Sequence, residues 1–98
     1  MKATVELQVL NELGLHARPA TEFVRCALRF KNTAVRFRKG DQCFTATSIL
    51  EVLSAELDQG TVFILEAEGP EAEAEAVIEA FTALMIQIRD DEEGGNVR

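Results

Sequence analysis

Along this 98-residue chain the spacing of apolar side chains switches period repeatedly, and the stretches between switches are short. Residues 3–10, ATVELQVL, place Val5, Leu7 and Val9 on one side and Thr4, Glu6 and Gln8 on the other, the period of a strand with one wet face. NELG interrupts it. From Ala17 to Phe30 the apolar positions Ala20, Phe23, Val24, Ala27 and Leu28 follow helical spacing, with Arg18, Glu22, Arg25 and Arg29 opposite. TAVRFR and QCFTAT alternate again on either side of the turn signal KGD, so residues 33–46 predict a hairpin. In SILEVLSAEL, Ser48 followed three residues later by Glu51 is a capping box ahead of Ile49, Leu50, Val52 and Leu53, which predicts a short helix. TVFILEA, between Gly60 and Gly69, predicts an apolar strand. Pro70 then opens a long helix with Glu71, Glu73 and Glu75 in its first turns, where the helix dipole favours acids, and with Val77, Phe81, Leu84 and Ile88 as its buried stripe.

Strand, helix, strand, strand, helix, strand, helix with short connections implies an α+β fold. Each strand has one face to bury and the helices supply matching stripes, so the expectation is an antiparallel sheet covered on one face by helices. The tail DDEEGGNVR has no apolar period and predicts a frayed end.

Composition bounds the function. With 47% hydrophobic and 28% charged residues, the chain reads as one globular domain rather than a disordered tail. It has no run of about 18 apolar residues, the length a membrane helix needs, and MKATVELQVL lacks the order of a signal peptide. A cytoplasmic protein without membrane insertion is expected. Cys26 and Cys43 are read as reduced and packed, since a secreted chain of this size staples itself with more. The net charge of −7 argues against general binding of nucleic acid. It conceals an asymmetry, because Arg18 to Lys39 holds seven basic residues and one acid, Glu22. A basic shoulder thus lies close in sequence to the histidine.

That histidine, His16 in GLHARPA, is the chain's single imidazole. The first amides of a helix lack internal partners and attract anions. A histidine at the N-cap would sit over that field, which disfavours the imidazolium and leaves a nucleophilic ring. If the ring took a phosphoryl group, the following amides and Arg18 would hold its oxygens. Gly14 permits a tight turn, and Pro19 in the first helical turn loses no hydrogen bond. On spacing alone, the alternative stands that His16 is a cap or a solvated side chain and Arg18 a surface residue.

NELGLHARPATEF nevertheless resembles the active-site segment of the histidine-containing phosphocarrier (HPr) family of the bacterial sugar phosphotransferase system. The likeness extends through TATSIL, DQG and AEG, from residue 3 to about residue 88. It implies an open-faced β-sandwich, βαββαβα, with a four-stranded antiparallel sheet and three helices on one face. The phosphocarrier domain is accordingly placed at residues 1–89, with 90–98 an acidic, disordered tail.

The resemblance also assigns roles. His16 would accept a phosphoryl group on Nδ1 from phosphorylated enzyme I and pass it to IIA proteins. Arg18 would contact that group, and the amide of Ala17 would cap it. Ser48 matches a serine that HPr kinase/phosphorylase modifies in many members, although a capping box alone also justifies a serine there. Thr21, Ile49, Leu50 and Leu53 match partner-facing positions.

The chain departs from the family at Glu56, where members usually carry a glycine and a glutamate does not readily adopt the left-handed conformation favoured there, and at Leu28 and Glu51 near the partner surface. No metal-ligand set, nucleotide loop or cofactor motif is present, so the expectation is a monomeric, stoichiometric relay rather than a self-sufficient enzyme. An alternative is a regulatory binding module whose state at His16 or Ser48 controls transcription factors or other targets. A third reading is an interaction domain with an inert histidine.

Overall fold

The computed structural model describes residues 1–95. Its elements are β1 (Lys2–Gln8), α1 (Arg18–Leu28), β2 (Ala34–Lys39), β3 (Gln42–Thr45), α2 (Ile49–Ser54), β4 (Val62–Glu68) and α3 (Glu71–Gly95). The four strands form one sheet in the order β1-β4-β2-β3, antiparallel throughout. β1 lies along β4 from Lys2↔Glu68 to Gln8↔Val62, so the first strand closes on a segment more than fifty residues away.

Strand alternation sorts the two faces. Leu7, Val35, Phe37, Phe63 and Leu65 point into the core, where they meet Ala20, Phe23, Val24 and Ala27 of α1, Val52 of α2, and Ala74, Val77, Phe81, Leu84 and Ile88 of α3. Phe23 is the hub, edge-on to Phe81 at 4.9 Å, to Phe37 at 5.6 Å and to Phe63 at 6.0 Å. Burying one such ring contributes about 1.5–3 kcal/mol, and the edge-on geometry adds to it. This is the open-faced sandwich expected from the sequence.

The bare face of the sheet is held by charge. Glu66, 5% exposed, receives Arg38 Nε at 2.7 Å and has Lys2 Nζ at 3.6 Å and Arg36 Nε at 4.0 Å. Arg36 also donates to Glu68 at 2.8 Å, and that bond holds the Glu68 carboxyl below its ordinary range. A carboxylate so covered requires such partners, since desolvation without them is costly. The basic excess read from the sequence is therefore divided. Arg36 and Arg38 serve this face, and Lys39 Nζ caps the end of α2 by donating to Ala55 O at 2.9 Å and Glu56 O at 3.0 Å.

Three further expectations are corrected. Cys43 is exposed, because QCFT alternates so that Phe44 stacks on Phe37 while Cys43 faces solvent; Cys26 is buried as read, and both are free thiols. Glu56 does adopt the left-handed region, at φ 52°. Residues 90–95 are not a frayed tail but the last turns of α3, and residues 96–98 lie outside the described residues.

Candidate functional site

His16 lies in the loop between β1 and α1, and that loop is pinned to the segment that follows α2. Leu15 is fully buried and its amide donates to Leu57 O at 2.9 Å. Gly14, at φ +75°, lies so close to the same segment that a Cβ would stand 2.8 Å from Leu57 O and 3.1 Å from the Asp58 Cα. Only glycine fits there, both for its conformation and for the approach. The consequence is that His16 Nε2 comes to 3.0 Å from Asp58 Oδ1.

Both side chains of that pair are solvated, with 47% and 68% of their area exposed, so the contact contributes little to stability. What it fixes is the ring. With Nε2–H donating to the carboxylate, the lone pair resides on Nδ1, which has no partner among the described residues.

The expectation that His16 itself caps the helix is corrected by one residue. α1 starts at Arg18, and its N-cap is Ala17, at φ 53° and ψ −125°, with no side-chain cap bond. A non-glycine residue in that region is strained, and such strain collects at functional sites. Among the described residues, the amides of Ala17 and Arg18 have no acceptor. Pro19 lacks an amide hydrogen, and no acid stands in the first turn. Arg18 is exposed and makes no salt bridge among the described residues. A nucleophilic nitrogen thus precedes two unsatisfied amides and an unpaired guanidinium, an arrangement suited to holding a transferable anion.

Ser48 is the N-cap of α2, with Oγ accepting from the Glu51 amide at 3.3 Å. The capping box is only half closed, because the Glu51 carboxylate accepts from the Thr45 amide at 2.9 Å. Along α2, Ile49, Leu50 and Leu53 are exposed, Leu50 by 76%. α1 packs against α2, and Thr21 on α1 is exposed, with Oγ1 donating to Ala17 O at 3.3 Å.

Sequence reasoning missed four residues here. Asp58 is 42 positions from His16, and only the DQG turn hinted at it. Asn11 is buried and donates through Nδ2 to Gly14 O at 2.8 Å and to Glu92 at 3.0 Å. Glu92 fell in the segment read as a tail. Leu13, in the same loop, is 73% exposed.

Among the described residues no helix is long and apolar enough to cross a membrane. The family model for the PTS HPr component phosphorylation site matches residues 3–87. The phosphocarrier protein HPr of Vibrio cholerae is 36% identical over 83 residues, covering 85% of this chain and 94% of its own. Among solved structures, HPr of Bacillus anthracis superposes with a TM-score of 0.78 at 31% identity, over 85% of this chain and 95% of its own. HPr of Thermoanaerobacter tengcongensis does so at 0.77 and 32%, over 94% and 96%. With the match running from β1 through the His16 loop and into α3, the chain belongs to the PTS HPr family of phosphocarrier proteins.

Proposed function

We propose that Nδ1 of His16 takes a phosphoryl group from phosphorylated enzyme I and yields it to IIA proteins of the sugar phosphotransferase system. The observation that carries this reading is the contact of Nε2 with Asp58 Oδ1 at 3.0 Å, which leaves Nδ1 as the free nitrogen at a helix entrance whose amides lack acceptors.

In the forward step the Nδ1 lone pair attacks phosphorus. The N–P bond forms as the bond from phosphorus to the donor atom breaks, and that electron pair leaves with the donor. Asp58 faces the Nε2 proton and stabilises the positive charge that the ring acquires. The phosphoryl oxygens are met by the amides of Ala17 and Arg18 and by the Arg18 guanidinium, so no donor must be recruited during transfer. Delivery to the acceptor reverses these events.

The exposed Ile49, Leu50 and Leu53, with Thr21 beside them on α1, form the proposed docking surface for both partners. Ser48 at its border is the proposed target of HPr kinase/phosphorylase.

The test is phosphorylation by purified enzyme I and phosphoenolpyruvate. His16→Ala is expected to lose all incorporation while keeping the parent's circular dichroism spectrum, since the side chain fills no core. In the parent the bond should be acid-labile and alkali-stable, as a phosphoramidate is. A labelled His16→Ala protein would end the proposal.

A further inference from the structure

Beyond the phosphoryl chemistry, the loop bearing His16 is gripped from its other side. α3 continues past Gln87, where the family match ends, and brings Glu92 against residues 11–13. The Glu92 carboxylate accepts from Asn11 Nδ2 at 3.0 Å, from the Glu12 amide at 2.5 Å and from the Leu13 amide at 3.2 Å. Asn11 passes the restraint on, because the same Nδ2 donates to Gly14 O at 2.8 Å, two residues before His16. Two adjacent backbone amides and a buried carboxamide converging on one carboxylate make a fixed anchor, since each bond is charge-assisted.

The carboxyl is accordingly held below the usual glutamate range, first by the Asn11 bond and further by the Leu13 and Glu12 amides, against the opposing effect of desolvation. The other charged groups around it are Arg18 and Glu22 from α1, Glu12 from the loop, and Asp90 and Asp91 from α3 itself.

We infer that Glu92 is a positioning residue for His16. It fixes Asn11 and the 11–14 turn so that Gly14 stays seated on Leu57 and Asp58, and the imidazole stays on the Asp58 carboxylate. Its effect on transfer rests on the function proposed above; its effect on the loop and on the ring does not.

The experiment uses the full chain labelled with nitrogen-15. In Glu92→Ala, hydrogen exchange at the Glu12 and Leu13 amides should quicken by about tenfold or more, the share of the Nε2–H tautomer of His16 should fall, and phosphorylation by enzyme I should slow severalfold with the melting temperature close to the parent's. Glu92→Gln should lie between, because its oxygen still accepts from Glu12 while its NH₂ opposes Asn11 Nδ2. In the parent, the Glu12 and Leu13 amide shifts should titrate together at a midpoint below the ordinary glutamate range. Unchanged exchange and tautomer in Glu92→Ala overturns the inference. So does a loosened loop with the tautomer and the rate of the parent. If enzyme I phosphorylates neither protein, the functional reading fails, and the exchange and tautomer measurements still decide the role of Glu92.

Discussion

The entrances of α1 and α2 meet the same physical requirement in opposite ways. At α2, Ser48 sits in extended backbone, at φ −112° and ψ 116°, its hydroxyl takes the Glu51 amide, and an acid stands in the first turn. At α1, Ala17 supplies no side-chain acceptor, the backbone is held at φ 53°, and the first turn carries Arg18 and Pro19 instead of an acid. One helix end is satisfied by its own sequence and the other is not. The end of α2 already owns an acceptor, whereas the end of α1 would gain its missing partner from the phosphoryl group proposed for His16.

The sharpest way to break this contrast is Arg18→Ala. It should slow phosphorylation of His16 by roughly tenfold or more, because the guanidinium meets charge on the transferring group, and leave the melting temperature essentially unchanged. Equal rates in stopped-flow assays would remove Arg18 from the site. At the satisfied entrance the expectation is reversed. Ser48→Ala should cost about 1 kcal/mol in denaturant unfolding through the lost cap, with a transfer rate near the parent's. Ser48→Asp should keep the helix but slow phosphorylation severalfold, since a charge beside exposed Ile49 and Leu50 must be desolvated on docking. An undiminished rate for Ser48→Asp would leave Ser48 as a helix cap alone. The smallest effect concerns the exit of α2, where Glu56→Gly should raise stability by up to about 1 kcal/mol, relieving a left-handed glutamate without touching the rate.

Much of this is legible in the sequence, and the residues say why. Phe23 and Phe81 announced themselves through local periodicity, which depends only on neighbours a few positions away. GLHARPA likewise carried His16, Ala17 and Arg18 in one run. Asp58 was invisible as a partner because its proximity depends on how Gly14 packs against the chain leaving α2, a contact no spacing rule encodes. The end of α3 was misread for a related reason: DDEEGG has no apolar stripe, yet the helix continues there with Glu92 bonded to backbone amides of a distant loop. Cys43 was misplaced by composition, although the alternation of QCFT already contained its outward direction.

The pairing of β1 with β4 is a long-range closure, with Lys2 opposite Glu68 and Gln8 opposite Val62. Lys2 finds its partner only when Glu68 is available, and His16 finds Asp58 only when Gly14 and Leu15 have packed on the segment that follows α2. Closing a loop of this length costs entropy that local helices cannot repay early, which places sheet completion late in folding. During synthesis the carboxylate that orients the ring of His16 follows the imidazole by 42 residues. A truncated or half-folded chain therefore displays the histidine without the oriented nitrogen, and on the function proposed above it would be a poor phosphoryl acceptor.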